Sequence, residues 1–108
     1  MTGILGIAAA TRGFEYHEEI ESGTGFSDII ISSYNTKTVC IIELKKTKKL
    51  DDCYDAAQAA SKQIIQKDYA SKFISRRYKK VYGIGIGFAK KSCEIVPLGN
   101  LVEASAHQ

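Results

Sequence analysis

The feature that most constrains this chain is a pair of apolar runs, "SDIIISS" from Ser27 to Ser33 and "TVCIIEL" from Thr38 to Leu44, joined by the polar tetrapeptide "YNTK". Short β-branched runs on either side of a turn signature predict the two strands of an antiparallel hairpin. Charges intrude on that pattern. Asp28 stands at the mouth of the first strand, and Glu43 and Lys45 interrupt the second. Burying a carboxylate or an ammonium without a partner costs several kcal/mol, comparable to the net stability of a small domain. The three charges therefore need a common explanation.

Strand side chains alternate between faces, so Val39, Ile41, Glu43 and Lys45 share one face of the second strand. Cys40, Ile42 and Leu44 share the other, which we expect to pack under a helix. Glu43 and Lys45 lie about 6–7 Å apart along the strand. The hairpin brings Asp28 back beside the end that carries them. Two carboxylates and an amine converge there, a set that suits a hard divalent cation. Mg²⁺ takes oxygen ligands at about 2.0–2.1 Å and is typically held by one or two carboxylates plus water and phosphate oxygens. Asp28 and Glu43 would supply the carboxylates and the Leu44 carbonyl a further oxygen. Lys45 would hold the attacking water or stabilise charge on a phosphoryl oxygen. The plainer alternative is a Glu43–Lys45 pair at a strand end, with Asp28 capping a turn.

The rest of the chain supplies the frame. Gly3 to Ala10 is small and apolar and predicts a short helix ended by Gly13. Phe14 to Glu21 alternates as an edge strand, followed by the turn "SGTG". Leu50 to Tyr69 has no Gly or Pro and opens with Asp51 and Asp52, as a helix N-terminus favours. Tyr54, Ala57, Ala60 and Ile64 form its apolar stripe, and a further helical turn or two is expected over Ala70 to Tyr78. In "VYGIGIGF", Val81 to Phe88, alternating glycines leave one strand face bare, and a helix should approach it closely. "SCEIVPL" is a last short strand. The order is short helix, three strands, long helix, one or two strands: an α/β fold with a mixed sheet. With 108 residues, the expectation is one domain over 1–108.

The net charge of +3 is compatible with a nucleic-acid partner without demanding one. The basic residues cluster in "KKTKK" after the second strand, in "RRYKK" from Arg76 to Lys80, and at Lys90 and Lys91. They either protect strand edges and solubility or form one phosphate-facing surface. Three cysteines, an odd number without zinc-site spacing, point to a reducing compartment. Cys40 and Cys93 fall in apolar runs, where Cys acts as a small hydrophobe. "GILGIAAA" is too short to span a membrane, and no basic segment precedes it. The expected location is cytoplasmic, with no membrane partner. His17 and His107 are given no role.

In order and spacing, "ESGTGFSDIII", "CIIELKK", "KQIIQKDYA" and "VYGIGIGFAKK" resemble the PD-(D/E)XK nuclease superfamily. The likeness is greatest to the small nuclease-like domain found C-terminal to AAA-ATPase-like domains in bacterial proteins, and runs from about Gly6 to Val96. The resemblance implies a restriction-endonuclease-like core in α-β-β-β-α-β order with a truncated first helix. It implies a Mg²⁺- or Mn²⁺-dependent nuclease that hydrolyses phosphodiester bonds in DNA. Asp28 and Glu43, with Leu44, would be the metal ligands and Lys45 the catalytic lysine. Gln63 and Tyr69 match helix positions facing the site in relatives, as a catalytic and a nucleic-acid-facing residue respectively, or else pack that helix on the sheet. Lys46, Lys48, Lys49, Arg76 and Arg77 would face nucleic acid. Glu21 matches the glutamate of the family's "ESG" turn.

The departures matter too. Phe26 stands where the family has a basic residue, Ser27 where it has the name-giving proline, and the first helix carries no glutamate. An ATPase-like portion is absent, and would be a partner if it belongs to the same machine. These departures imply an alternative, a catalytically degenerate module that binds nucleic acid or a protein partner. The truncated helix also implies a homodimer.

Overall fold

A computed structural model describes residues 14–20 and 25–102. The expected N-terminal helix, Glu21 of the "ESG" turn and His107 lie outside the described residues. Among the described residues five strands form one sheet in the order β1-β2-β3-β4-β5. They are β1 (Glu15–Ile20), β2 (Phe26–Ser33), β3 (Thr38–Lys46), β4 (Lys80–Ala89) and β5 (Ser92–Asn100). β1, β2 and β3 form an antiparallel meander, β4 runs parallel to β3, and β5 returns antiparallel to β4. The mixed α/β architecture is the expected one. A parallel β3–β4 pair needs a long crossover. That crossover consists of a 3₁₀ turn (Leu50–Asp52), helix α1 (Cys53–Gln66) and helix α2 (Tyr69–Ser75).

The helical segment is not continuous to Tyr69, as the sequence suggested. It breaks at Asp68, whose φ of 51° is left-handed. Asp tolerates that region better than most residues. The Lys67 and Asp68 amides donate to the carbonyls of Gln63 and Ile65, closing α1 before the chain turns.

The face that α1 covers is the reverse of the one expected. In register, Ile41, Glu43 and Lys45 of β3 stand opposite Gly83, Gly85 and Gly87 of β4. The glycines and the Glu43 side share one face, and the helix lies on that face. A Cβ on Gly85 would come within 2.5 Å of the Ala57 carbonyl oxygen, and one on Gly87 would collide with the Cys53 carbonyl oxygen. The bare glycines thus let helix backbone rest against strand backbone, as the alternation predicted, and they draw α1 onto the charged side of β3. Cys40, Ile42 and Leu44 face the other way and are only half-buried.

On the helix, Ala57, Ala60 and Ile64 are buried as expected, but Tyr54 is 52 % exposed, and Cys53, Ala56 and Ser61 complete the contact. Small residues suit so close an approach. Bulkier packing lies under α2, where Val39, Ile41, Ile64, Tyr69, Phe73 and Val81 form the core cluster. Of the cysteines, Cys53 is the buried one, and Cys93 is exposed because its strand closes the sheet edge. Among the described residues no helix is long and apolar enough to cross a membrane.

Candidate functional site

Asp28 of β2 and Glu43 of β3 are direct register partners. Antiparallel partners stand about 4.5–5.5 Å apart at Cα with side chains on the same face. Both are buried, at 2 % and 0 % exposure. Glu43 is buried because Gly85, its neighbour on β4, lets α1 descend over it. Two carboxylates so placed repel strongly and require a cation.

That cation is Lys67, at the C-terminal end of α1. Its Nζ lies 2.9 Å from Glu43 Oε1 and 3.2 Å from Asp28 Oδ2. The Lys67 side chain remains 27 % exposed. Tyr69 adds a hydrogen bond, its hydroxyl donating to Asp28 Oδ2 at 2.8 Å. The left-handed turn at Asp68 sits between these two residues, so that both reach the same carboxylate. Burial first, and then the bond to Asp28, raise the Tyr69 phenol above its ordinary pKa. An aromatic run holds the ring: Tyr69 stacks on Phe73 at 6.4 Å, and Phe73 meets Tyr78 edge-on at 5.5 Å. The second oxygen of Asp28, Oδ1, is buried and has no hydrogen-bond partner among the described residues.

The expected site residues divide between those brought to this cluster and those that are not. Asp28 and Glu43 meet as predicted. Lys45 is on the same face, two residue pairs further out, opposite Phe26. Its Nζ lies 4.3 Å from the centre of the Phe26 ring. A basic residue at position 26 would face Lys45 with like charge, so the aromatic ring suits this lysine. Leu44 lies between Glu43 and Lys45 with its side chain on the opposite face. Gln63 is half-buried one turn before Lys67, and its carbonyl accepts the Lys67 amide. Tyr69, expected to face nucleic acid, is only 5 % exposed, and its hydroxyl is directed at Asp28.

Lys67 was missed. It stands inside the quoted segment "KQIIQKDYA", but one lysine in a basic chain carries no sign of its partners. The useful signal was the pair of buried-strand carboxylates, whose charge some cation had to balance.

The basic clusters do not form one surface. Lys46 is level with Phe88, and the Thr47 amide donates to the Phe88 carbonyl at 2.8 Å. Lys46, Lys48 and Lys49 therefore share an end of the sheet with Lys90 and Lys91 of the β4–β5 turn. The amides of Lys79 and Lys80 instead donate to the Lys37 carbonyl. Lys80 is level with Thr38, so the Arg76–Lys80 cluster belongs to the opposite end. Over the eight steps from Thr38 to Lys46 the strand rises about 26 Å. Glu43 is nearer the Lys46 end. A groove of about 450 Å³ also opens between β1 and α2, beside Tyr69. Lys72 and Arg76 line one side, but Glu15 and Glu19 line it as well. That mixed charge is less suited to a polyphosphate backbone than the Lys46 end is.

Among the described residues no group of three or more His, Cys, Asp or Glu is gathered to hold a metal. Two carboxylates match the one or two that Mg²⁺ usually takes from a protein, and Asp28 Oδ1, without a partner among the described residues, offers a ligand oxygen. The residues present therefore fit a hard divalent cation. The sequence pattern of the PD-(D/E)XK nuclease superfamily matches residues 2–97. No curated protein matches the chain, and no solved structure does.

Proposed function

Since the chain belongs to the PD-(D/E)XK nuclease superfamily, we propose that it is a Mg²⁺- or Mn²⁺-dependent nuclease that hydrolyses phosphodiester bonds in DNA. The observation that carries this reading is the Asp28–Glu43 pair, buried and in register, with Oδ1 of Asp28 unsatisfied. Asp28 and Glu43 would hold the ion, with the Leu44 carbonyl as a further oxygen. When bound, a divalent cation polarises a phosphoryl oxygen and lowers the pKa of water. Lys45 stabilises the charge that builds on the phosphoryl group. Tyr69 keeps the Asp28 carboxylate oriented. Lys46, Lys48 and Lys49 draw the DNA backbone towards the same end of the sheet.

The test is cleavage of plasmid and single-stranded DNA with Mg²⁺ or Mn²⁺, compared with Asp28→Asn and Lys45→Met. Both variants should lose activity by a hundredfold or more, on the order of what removal of one charge-stabilising group costs elsewhere. Undiminished cleavage by Asp28→Asn would overturn the assignment.

A second reading, a degenerate module that binds nucleic acid or a protein without cutting, draws on Lys67. Its ammonium already offsets one of the two carboxylate charges without any metal. Salt-dependent DNA binding with no cleavage under any divalent ion would favour it.

A further inference from the structure

Lys67 has no part in the chemistry assigned above, yet it occupies the place between the carboxylates that a metal would need. Its Nζ touches one oxygen of each acid, Asp28 Oδ2 and Glu43 Oε1. A divalent ion held by the same two acids would sit beside the ammonium, and like charges at so short a separation repel strongly. The lysine is nevertheless able to leave. Its backbone is anchored at the end of α1, where the amide donates to Gln63. Its charged end hangs from a flexible four-carbon stem. At 27 % exposure, the side chain has a path to water.

We propose that Lys67 is a resident counter-ion that offsets part of the charge of the acid pair until a divalent cation displaces it, so that metal and lysine compete for one position. This rests on the metal-dependent reading above and adds a residue to it. In the metal-free protein the lysine reduces the repulsion that would otherwise drive Asp28 and Glu43 apart. Metal affinity is lowered in proportion to the cost of moving the ammonium away from the acids. Once released, the ammonium is set free at the rim of the site.

Calorimetric titration of Mn²⁺ into the wild type and into Lys67→Met, which keeps most of the length of the side chain without its charge, tests this. Lys67→Met should bind Mn²⁺ about tenfold more tightly or better, a difference of about 1.4 kcal/mol. In EDTA it should melt below the wild type, and added Mn²⁺ should restore it. Folding of Lys67→Met only with Mn²⁺ supports the proposal, because the ion then takes over the charge of the lysine. So does Mn²⁺ binding to the variant alone. Equal or weaker binding by a folded Lys67→Met overturns the competition and leaves the metal-dependent reading standing. Binding by neither protein overturns both. A readout on the wild type is independent of how the variant folds: the Lys67 ¹³Cε resonance should move as Mg²⁺ is titrated in. Saturation by Mg²⁺ with that signal unmoved overturns the proposal.

Discussion

The Lys67 ammonium lies 2.9 Å from the Glu43 carboxylate, joining a helix end to the middle of a sheet across 24 positions of sequence. Both groups lie in the layer between α1 and β3, and the contact offsets one of the two carboxylate charges. Removing one partner of a buried pair leaves the other uncompensated. Glu43→Gln alone should therefore cost about 3 kcal/mol of unfolding free energy in denaturant melts, and Lys67→Met a similar amount without metal. The double variant should cost less than the sum of the two. Additive losses would show that the two groups do not couple.

Gly85 and Gly87 set how near α1 comes to the sheet. A Cβ on Gly85 would be 2.6 Å from the Ser61 amide nitrogen as well as 2.5 Å from the Ala57 carbonyl oxygen, both of them backbone atoms that cannot swing aside. Gly85→Ala and Gly87→Ala should each destabilise the protein by about 3 kcal/mol or more, at the upper end of overpacking costs. Gly99→Ala makes no close contact, but its φ of 71° imposes backbone strain, and about 1 kcal/mol is expected. Melting temperatures in that order are the check. Gly85→Ala as stable as the wild type would mean that the helix does not rest where described.

Tyr69→Phe removes the hydroxyl that donates to Asp28 and should cost about 1–2 kcal/mol. Its pH signature follows from the raised phenol. In the folded protein the group ionises above the ordinary value of 10.0, so its stabilisation is fully present below that pH. As pH rises past it, the unfolded chain loses its proton first, and this contribution declines by up to about 1.4 kcal/mol per pH unit. Unfolding free energies measured from pH 8 to 11 should fall more steeply for the wild type than for Tyr69→Phe. Parallel curves would refute the role given to burial.

The three cysteines should react in a fixed order with a thiol reagent. Cys93 is exposed, Cys40 half-buried and Cys53 buried at 1 %. Burial also pushes the Cys40 thiol up, lowering its thiolate fraction at neutral pH. Cys93 should be modified first, and Cys93→Ser should slow labelling of the native protein by tenfold or more. Fast residual labelling of that variant would contradict the placement of β5 at the open edge.

If the Lys46 end of the sheet meets DNA, Lys48→Glu with Lys49→Glu should weaken binding and flatten its salt dependence by about two ion equivalents. Arg77→Glu, on the opposite end, should do neither. Equal effects from both ends, measured by fluorescence anisotropy across salt concentrations, would mean that the DNA follows another path.

Strand pairing was legible in the sequence because alternation and turn chemistry are local. The runs on either side of "YNTK" could pair in few ways, and antiparallel pairing then set Asp28 beside Glu43. The glycines of "VYGIGIGF" announced the close helix for the same reason. Alternation determines that two faces exist but not which one a distant helix will cover. The β3–β4 register decided that, by aligning Gly85 with Glu43 and so burying the acid rather than exposing it. Lys67 shows the same limit more sharply, because only the crossing of α1 and the left-handed turn at Asp68 bring its charge to the acids. Local chemistry in this chain determined the carboxylates and their pairing. The tertiary structure decided what neutralises them, since a buried charge is answered by whichever group packing brings within reach.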